Sequence, residues 1–277
     1  MCPQPGRKLR IVLNERLMGE PYRADYRGPV FHFFWPLTRY VTTHVTVLVL
    51  GLVFYVLNRA TVIGRGNVPR ERNTLLLSNH QTMIDSFLVG TAAYLGPSLV
   101  KPYLTPWNPA AEENFFKNPF WSWWADNWKC IPIKVGRRDS RALHRMIRAA
   151  KGGTMVLFPE GTRSRDGEIR NGKAGAGFVV LANQPKVVPV TVDGLYDVLP
   201  VGSRFPRLFK HIWLAFGKPI DYTAHAGRPR SKEAAQEVVD DVTRILRRQL
   251  AALRQLQAGE IDRKTFERIL NRDEEKP

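Results

Sequence analysis

His80 and Asp85 stand five residues apart in the run SNHQTMIDS. Histidine is the side chain whose ordinary pKa lets it take up and return a proton near neutral pH. A carboxylate that accepts from one ring nitrogen fixes the tautomer, leaves the other nitrogen as a base and stabilises the imidazolium that forms. The pair is therefore the base half of a catalytic triad without its serine. Ser78 and Ser86 are close in sequence, but neither sits in a Gly-x-Ser-x-Gly elbow. A substrate hydroxyl can fill the vacant place. On these residues alone a second reading stays open, a structural histidine satisfied by its neighbour.

A second group of residues suits anions. In LFPEGTRSRDG, Leu157–Gly167, an apolar run ends at Pro159 and a turn carries Glu160, Gly161, Thr162 and Arg163. Gly161 lets backbone approach a ligand closely. Arg163 offers a fork of donors matched to phosphate. Lys134, Arg137 and Arg138 follow another apolar run, in KVGRRD. Lys173 lies in NGKAGAG where a helix is expected to begin, a natural place for an anion. Each cluster, taken singly, can equally be a solvated face.

These residues need elements to hold them. Short runs rich in Val, Ile, Leu, Phe and Thr predict strands at Ala60–Gly64, Thr74–Ser78, Ser98–Lys101, Cys130–Val135, Thr154–Phe158, Val187–Val192 and His211–Phe216. Helical patterns fall between several of them, at Ile84–Tyr94, Ser140–Lys151 and Ala174–Ala182. Strand–helix alternation of this kind predicts an α/β fold with a mostly parallel or mixed sheet flanked by helices. His80 then sits at a strand-to-helix turn, where α/β folds gather their ligands. Lys232–Leu253 predicts a long amphipathic helix with Arg244, Arg247, Arg248 and Arg254 off its apolar stripe. It reads as packed on the sheet or, with its basic face, as lying on a membrane.

The N-terminal part has a different character. Val41–Leu57 contains no Asp, Glu, Lys or Arg and spans ~25 Å as a helix, slightly short of the bilayer's hydrocarbon core. Aromatic residues precede it, Arg39 and Arg59 flank it, and Pro36 is expected to break or kink any helix through both parts. A spanning helix, a half-inserted helix pair broken near Pro36 and a buried core helix all fit. Asn108–Trp128 holds four of the seven tryptophans between Trp121 and Trp128. It reads as an aromatic core cluster, as an interfacial patch or as one wall of an acyl-chain groove.

Composition narrows the partners. The 277 residues carry 42 Lys and Arg against 25 Asp and Glu, a formal charge of +17. Such a surface seeks polyanions. No zinc-finger spacing, helix–turn–helix signature or aromatic nucleic-acid strand accompanies the charge, so nucleic acid is not the expected partner. The two cysteines, Cys2 and Cys130, fit no disulfide framework or zinc spacing. No metal constellation is evident, and no apolar run follows the basic start to make a secretory signal.

NHQTMID, followed about 75 residues later by FPEGTRS, resembles the glycerolipid acyltransferase superfamily, in particular bacterial 1-acylglycerol-3-phosphate acyltransferases. Its Asn-His-x4-Asp motif, a basic motif after a strand, Phe-Pro-Glu-Gly-Thr-Arg-Ser and a late Val-x-Pro-Val strand all have counterparts here in the same order. The last is VVPVTVDG with Pro189. The resemblance covers roughly residues 60–220. It implies an α/β fold of about seven strands with a membrane-binding helical segment at 1–58, an acyltransferase domain at 59–257 and a polar tail at 258–277. It implies His80 as general base and Asp85 as its orienter. Asn79, Glu160, Gly161, Thr162, Arg163 and Lys173 would shape the acceptor and phosphate site. The family's second motif usually has an arginine near the position of Val135, and Lys134, Arg137 or Arg138 would stand in for it here.

The implied reaction moves a fatty acyl chain from acyl-CoA or acyl-carrier protein, without a cofactor, to the free hydroxyl of 1-acylglycerol-3-phosphate, giving phosphatidic acid. The implied place is the cytoplasmic face of the cell's inner membrane, among anionic lipids. Other acceptors remain open: glycerol-3-phosphate, another lysophospholipid or a lyso-aminolipid. The rival from outside enzymology is a non-catalytic basic membrane binder, which would need neither motif.

Overall fold

TLLLS and KVVPVTVD are almost wholly apolar, as strands covered on both faces must be. They form two inner strands of a five-stranded sheet. The computed structural model describes residues 24–136, 139–203, 205–223 and 230–272. Cys2, Arg137 and Arg138 lie outside them. The strands of the main sheet are β1 (Thr61–Ile63), β2 (Thr74–Ser78), β5 (Thr154–Leu157), β6 (Lys186–Asp193) and β7 (Trp213–Phe216). Their order is β1-β7-β6-β2-β5. β2 runs parallel to both β5 and β6, while β7 is antiparallel to β6. A separate parallel pair, β3 (Asn108–Ala111) and β4 (Cys130–Ile133), is joined to β5 by a parallel bridge between Trp107 and Met155. The sheet is thus smaller than the expected seven strands: five strands form it and two stand beside it.

Helices cover both faces. Leu75 and Leu77 of β2 pack with α4 (Ser140–Gly152), α5 (Gly175–Asn183) and the long α6 (Lys232–Ala258). Leu76 points to the other layer with Leu88, Val89 and Tyr94 of α2 (Asp85–Tyr94). This alternation is the two-residue period of a strand. α5 and α6 cross so closely that a Cβ on Gly177 would lie 1.9 Å from the Ala235 carbonyl oxygen. In the stretch 258–277, expected as a polar tail, α7 (Arg263–Leu270) docks on α6 and β7 through Phe266 and Leu270.

α1 (Pro29–Gly51) continues as a wider π turn over Leu52–Leu57. The expected break at Pro36 does not occur. Pro36 lies inside the helix, which is held from outside by α3 (Pro119–Asn127). Trp35 Nε1 donates to the Asp126 carbonyl at 3.2 Å, Thr43 to the Asn127 carbonyl at 2.6 Å, and Trp128 Nε1 to Thr46 at 3.0 Å. Such packing overrides the loss of one helical hydrogen bond. Pro29–Leu57 contains an 18-residue window with a mean hydropathy of 1.9 and is long and apolar enough to cross a membrane. Phe33, Leu37, Val41, Leu48 and Leu52 are exposed along it, and Phe120 and Trp121 of α3 are exposed nearby. The tryptophan-rich segment therefore divides: Ala125, Asp126 and Asn127 are buried on the α1 side while two of its rings face out.

Two strand assignments differ from the sequence reading. Ser98–Lys101 is a helical turn, Pro97–Val100, because Pro97 at a first helical position favours that start. β3 was not expected, since NPAA carries none of the β-branched or aromatic residues that mark strands.

Candidate active site

His80 follows the carboxyl end of β2, and its neighbours are the loops that follow β5 and β6 at the same edge. Its Nδ1 lies 2.7 Å from Asp85 Oδ2. Asp85, the first residue of α2, is fully buried and saturated. Oδ2 also accepts the backbone N–H of Gln81 at 2.6 Å and of Thr82 at 2.9 Å, and Oδ1 accepts the Thr82 hydroxyl at 2.9 Å. A carboxylate held by this many donors cannot rotate away, so the imidazole it orients is fixed too. Because Asp85 is an acceptor, Nδ1 carries the proton and Nε2 is left as the base. Nε2 has no protein partner among the described residues, and the ring keeps 19% of its side chain exposed. Phe158 stacks on the imidazole at 4.1 Å between centroids and 13° between planes.

The FPEGTRS segment builds the backbone around this histidine. Glu160 accepts the His80 N–H through Oε1 at 3.1 Å and the Arg170 N–H through Oε2 at 3.0 Å. The Ser164 N–H donates to the His80 carbonyl at 2.7 Å. Glu160 is buried, and burial lifts its carboxyl above the ordinary range against the pull of those two N–H groups and of His80. Its carboxylate is spent on positioning. Asn79 is likewise buried, exchanging hydrogen bonds of 2.9 and 2.8 Å with the Val192 backbone. Gln81 ties the same turn to the loop after β6, accepting from the N–H groups of Leu195 and Tyr196.

The basic residues divide. Gly161 has a φ of +65°, and a Cβ there would lie 3.5 Å from Lys173 Nζ. Lys173 is anchored by its N–H to the Pro159 carbonyl at 2.8 Å. Gly161, Thr162, Arg163 and Lys173 are exposed together on this loop. Lys134 is exposed at the end of β4; Arg137 and Arg138 fall outside the described residues. Two arginines of α6, Arg247 and Arg254, turn inward to this loop. Arg247 donates to the Ile169 carbonyl at 3.1 and 3.0 Å, and Arg254 reaches Glu168 at 2.6 Å and the Gly167 carbonyl at 3.1 Å. Sequence reasoning passed over Gln81, Thr82, Phe158 and Ser164, although a threonine three residues before a buried aspartate is a familiar local cap.

The acyltransferase family's sequence profile matches residues 59–193, the span holding His80, Asp85 and the whole FPEGTRS segment. The chain carries an acyltransferase domain. It is 28% identical, over 79% of its length and 57% of the relative's, to a chloroplast 1-acyl-sn-glycerol-3-phosphate acyltransferase of Arabidopsis thaliana. It is 30% identical, over 53% of its length and 56% of the relative's, to the N-acylphosphatidylethanolamine synthase of that plant. The chain thus spans less than three-fifths of these curated relatives. The acyltransferase domain's fold is that of the Thermotoga maritima 1-acyl-sn-glycerophosphate acyltransferase crystal structure. That match has a TM-score of 0.55 and 22% identity, and covers 81% of this chain and 97% of that one.

Proposed function

We propose that this acyltransferase moves a fatty acyl chain from a thioester donor, acyl-CoA or acyl-carrier protein, to the free hydroxyl of 1-acylglycerol-3-phosphate, giving phosphatidic acid. The observation that carries the reading is the open Nε2 of His80, on a ring whose other nitrogen is held by a buried, saturated Asp85. The acceptor hydroxyl gives its proton to Nε2 as its oxygen attacks the thioester carbonyl. The tetrahedral intermediate collapses, the carbon–sulfur bond breaks, and His80 returns the proton to the leaving thiolate. The donor is already activated, so no acyl-enzyme is needed.

Arg163 and Lys173 hold the acceptor phosphate beside Gly161, with Lys134 approaching from β4. The exposed apolar face of α1, with Phe120 and Trp121 beside it, attaches the protein to the membrane where both acyl chains reside. The surplus of basic residues favours an anionic surface, and the inner membrane's cytoplasmic face supplies one.

One observation favours a second acceptor: the 30% likeness to a protein named N-acylphosphatidylethanolamine synthase. A single assay separates the two. Purified protein is given labelled acyl-CoA with 1-acylglycerol-3-phosphate, glycerol-3-phosphate, lyso-aminolipid or phosphatidylethanolamine, and the products are separated by chromatography. Phosphatidic acid as the dominant product supports the first reading. A dominant N-acyl product replaces it with the second.

A further inference from the structure

Two cations lie on the far side of the sheet from His80, with no carboxylate paired to either among the described residues. Lys129 immediately precedes β4, and Trp107 precedes β3. Both therefore sit at the amino edge of their strands, opposite the loops that carry the catalytic pair. Lys129 is 3% exposed. Its ammonium lies 4.8 Å from the Trp107 ring centroid and donates to the Thr105 carbonyl. Arg39 of α1 lies 5.7 Å from the same ring and 5.0 Å from Trp35. Its guanidinium makes no hydrogen bond or ion pair among the described residues. Arg72 adds a third positive charge, 4.3 Å from the Tyr103 ring.

An open cleft of about 360 Å³ runs between α1 and the Pro102–Thr105 turn, lined by Leu37, Arg39, Thr43, Thr105 and Lys129. Burying cations beside each other with no counter-charge is costly, and aromatic faces recover only part of that cost. The strain is visible in Lys129, where burial first, then Arg39 and Arg72, depress the ammonium's pKa well below the usual lysine range. An anion entering the cleft would meet five guanidinium N–H groups and the remaining ammonium donors.

We propose that this cleft is a binding site for a phosphate-class anion, distinct from the catalytic edge and supplied by a membrane phospholipid headgroup. The lipid source follows from position. Leu37, 64% exposed, is at once a wall of the cleft and part of the apolar face of α1, so a headgroup seated on Arg39 leaves its chains along that face. Free inorganic phosphate offers the same chemistry without chains.

The test uses the full chain in an uncharged maltoside detergent at constant ionic strength. Tryptophan emission and thermal midpoint are followed while dihexanoyl-phosphatidylglycerol or inorganic phosphate is titrated, with chloride as the control. A saturable response that Arg39→Gln or Lys129→Gln weakens by about tenfold or more, and that Arg263→Gln on α7 leaves unchanged, supports the site. Saturation by the lipid alone identifies a headgroup. Saturation by inorganic phosphate alone keeps the anion site and removes the lipid. No saturable response to either probe, or full binding by folded Arg39→Gln, overturns the proposal. Lys129→Met, which keeps the side-chain bulk, serves if Arg39→Gln does not fold. His80→Ala should bind as the unmodified chain does, so loss of acyl transfer and loss of this site are told apart.

Discussion

Glu160 accepts the backbone N–H of His80 at 3.1 Å, joining segments that are 80 residues apart in the chain. With Ser164 donating to the His80 carbonyl, both backbone groups of the histidine are held by one loop. The FPEGTRS segment thus has two tasks. Its buried Glu160 and Ser164 fix His80, and its exposed Arg163 is, on the proposed function, left for the acceptor.

Glu160→Ala leaves two N–H groups without their acceptor, at about 1–3 kcal/mol each. The expected result is a lower unfolding midpoint together with a lower kcat, read by denaturation and by turnover. An unchanged kcat would show that the loop does not position His80.

Glu160 also predicts a pH dependence. Burial raises its folded pKa above the unfolded value. The folded protein therefore binds this proton more readily. That contribution to stability is full below the ordinary glutamate pKa and is lost as pH rises through the raised one. Glu160→Gln removes the titration, so the stability of the unmodified chain relative to this variant falls with rising pH across the acidic range. Urea unfolding at a series of acidic pH values measures it, and a flat difference would contradict the burial argument.

Asp85→Asn keeps the shape and loses the negative charge that fixes the tautomer and stabilises imidazolium. kcat is expected to fall by roughly 10²–10⁴ with acceptor KM little changed. Steady-state kinetics decide it. A rise in KM with kcat preserved would make Asp85 a binding residue instead.

Much of this arrangement was legible because it is local. TLLLS announces a strand, and His80 and Asp85 are near enough in sequence for a turn to bring them together. The same holds for TMVL running into FPEGTR. What stayed hidden depends on contacts between distant residues. Nothing in NPAA marks β3, which exists because Trp107 bridges to Met155 and β4 lies alongside. Pro36 reads as a breaker until α3 is seen to hold α1. Glu160 and Asn79 carry polar side chains that suit a ligand site, yet Asn79 bonds backbone 113 residues away and Glu160 bonds the N–H groups of His80 and Arg170, 80 and 10 residues away.

Leu37→Asp with Leu48→Asp tests the membrane face. Both side chains are exposed, at 64% and 61%, so folding is expected to survive. Each buried leucine contributes about 1.5–3 kcal/mol to partition into lipid. Flotation with neutral phosphatidylcholine vesicles, which removes the electrostatic attraction, should fall more than about tenfold. Undiminished flotation would mean that α1 does not meet the bilayer through this face.

The central claim is that His80 Nε2 takes the acceptor's proton. The most direct measurement is acyl transfer by His80→Ala, with circular dichroism to confirm the fold. Among the described residues the imidazole's hydrogen-bond and ring partners are the side chains of Asp85 and Phe158, so the fold is expected to persist. Labelled phosphatidic acid should fall by at least about 10²-fold in kcat. Near-normal turnover by the folded variant would contradict the account.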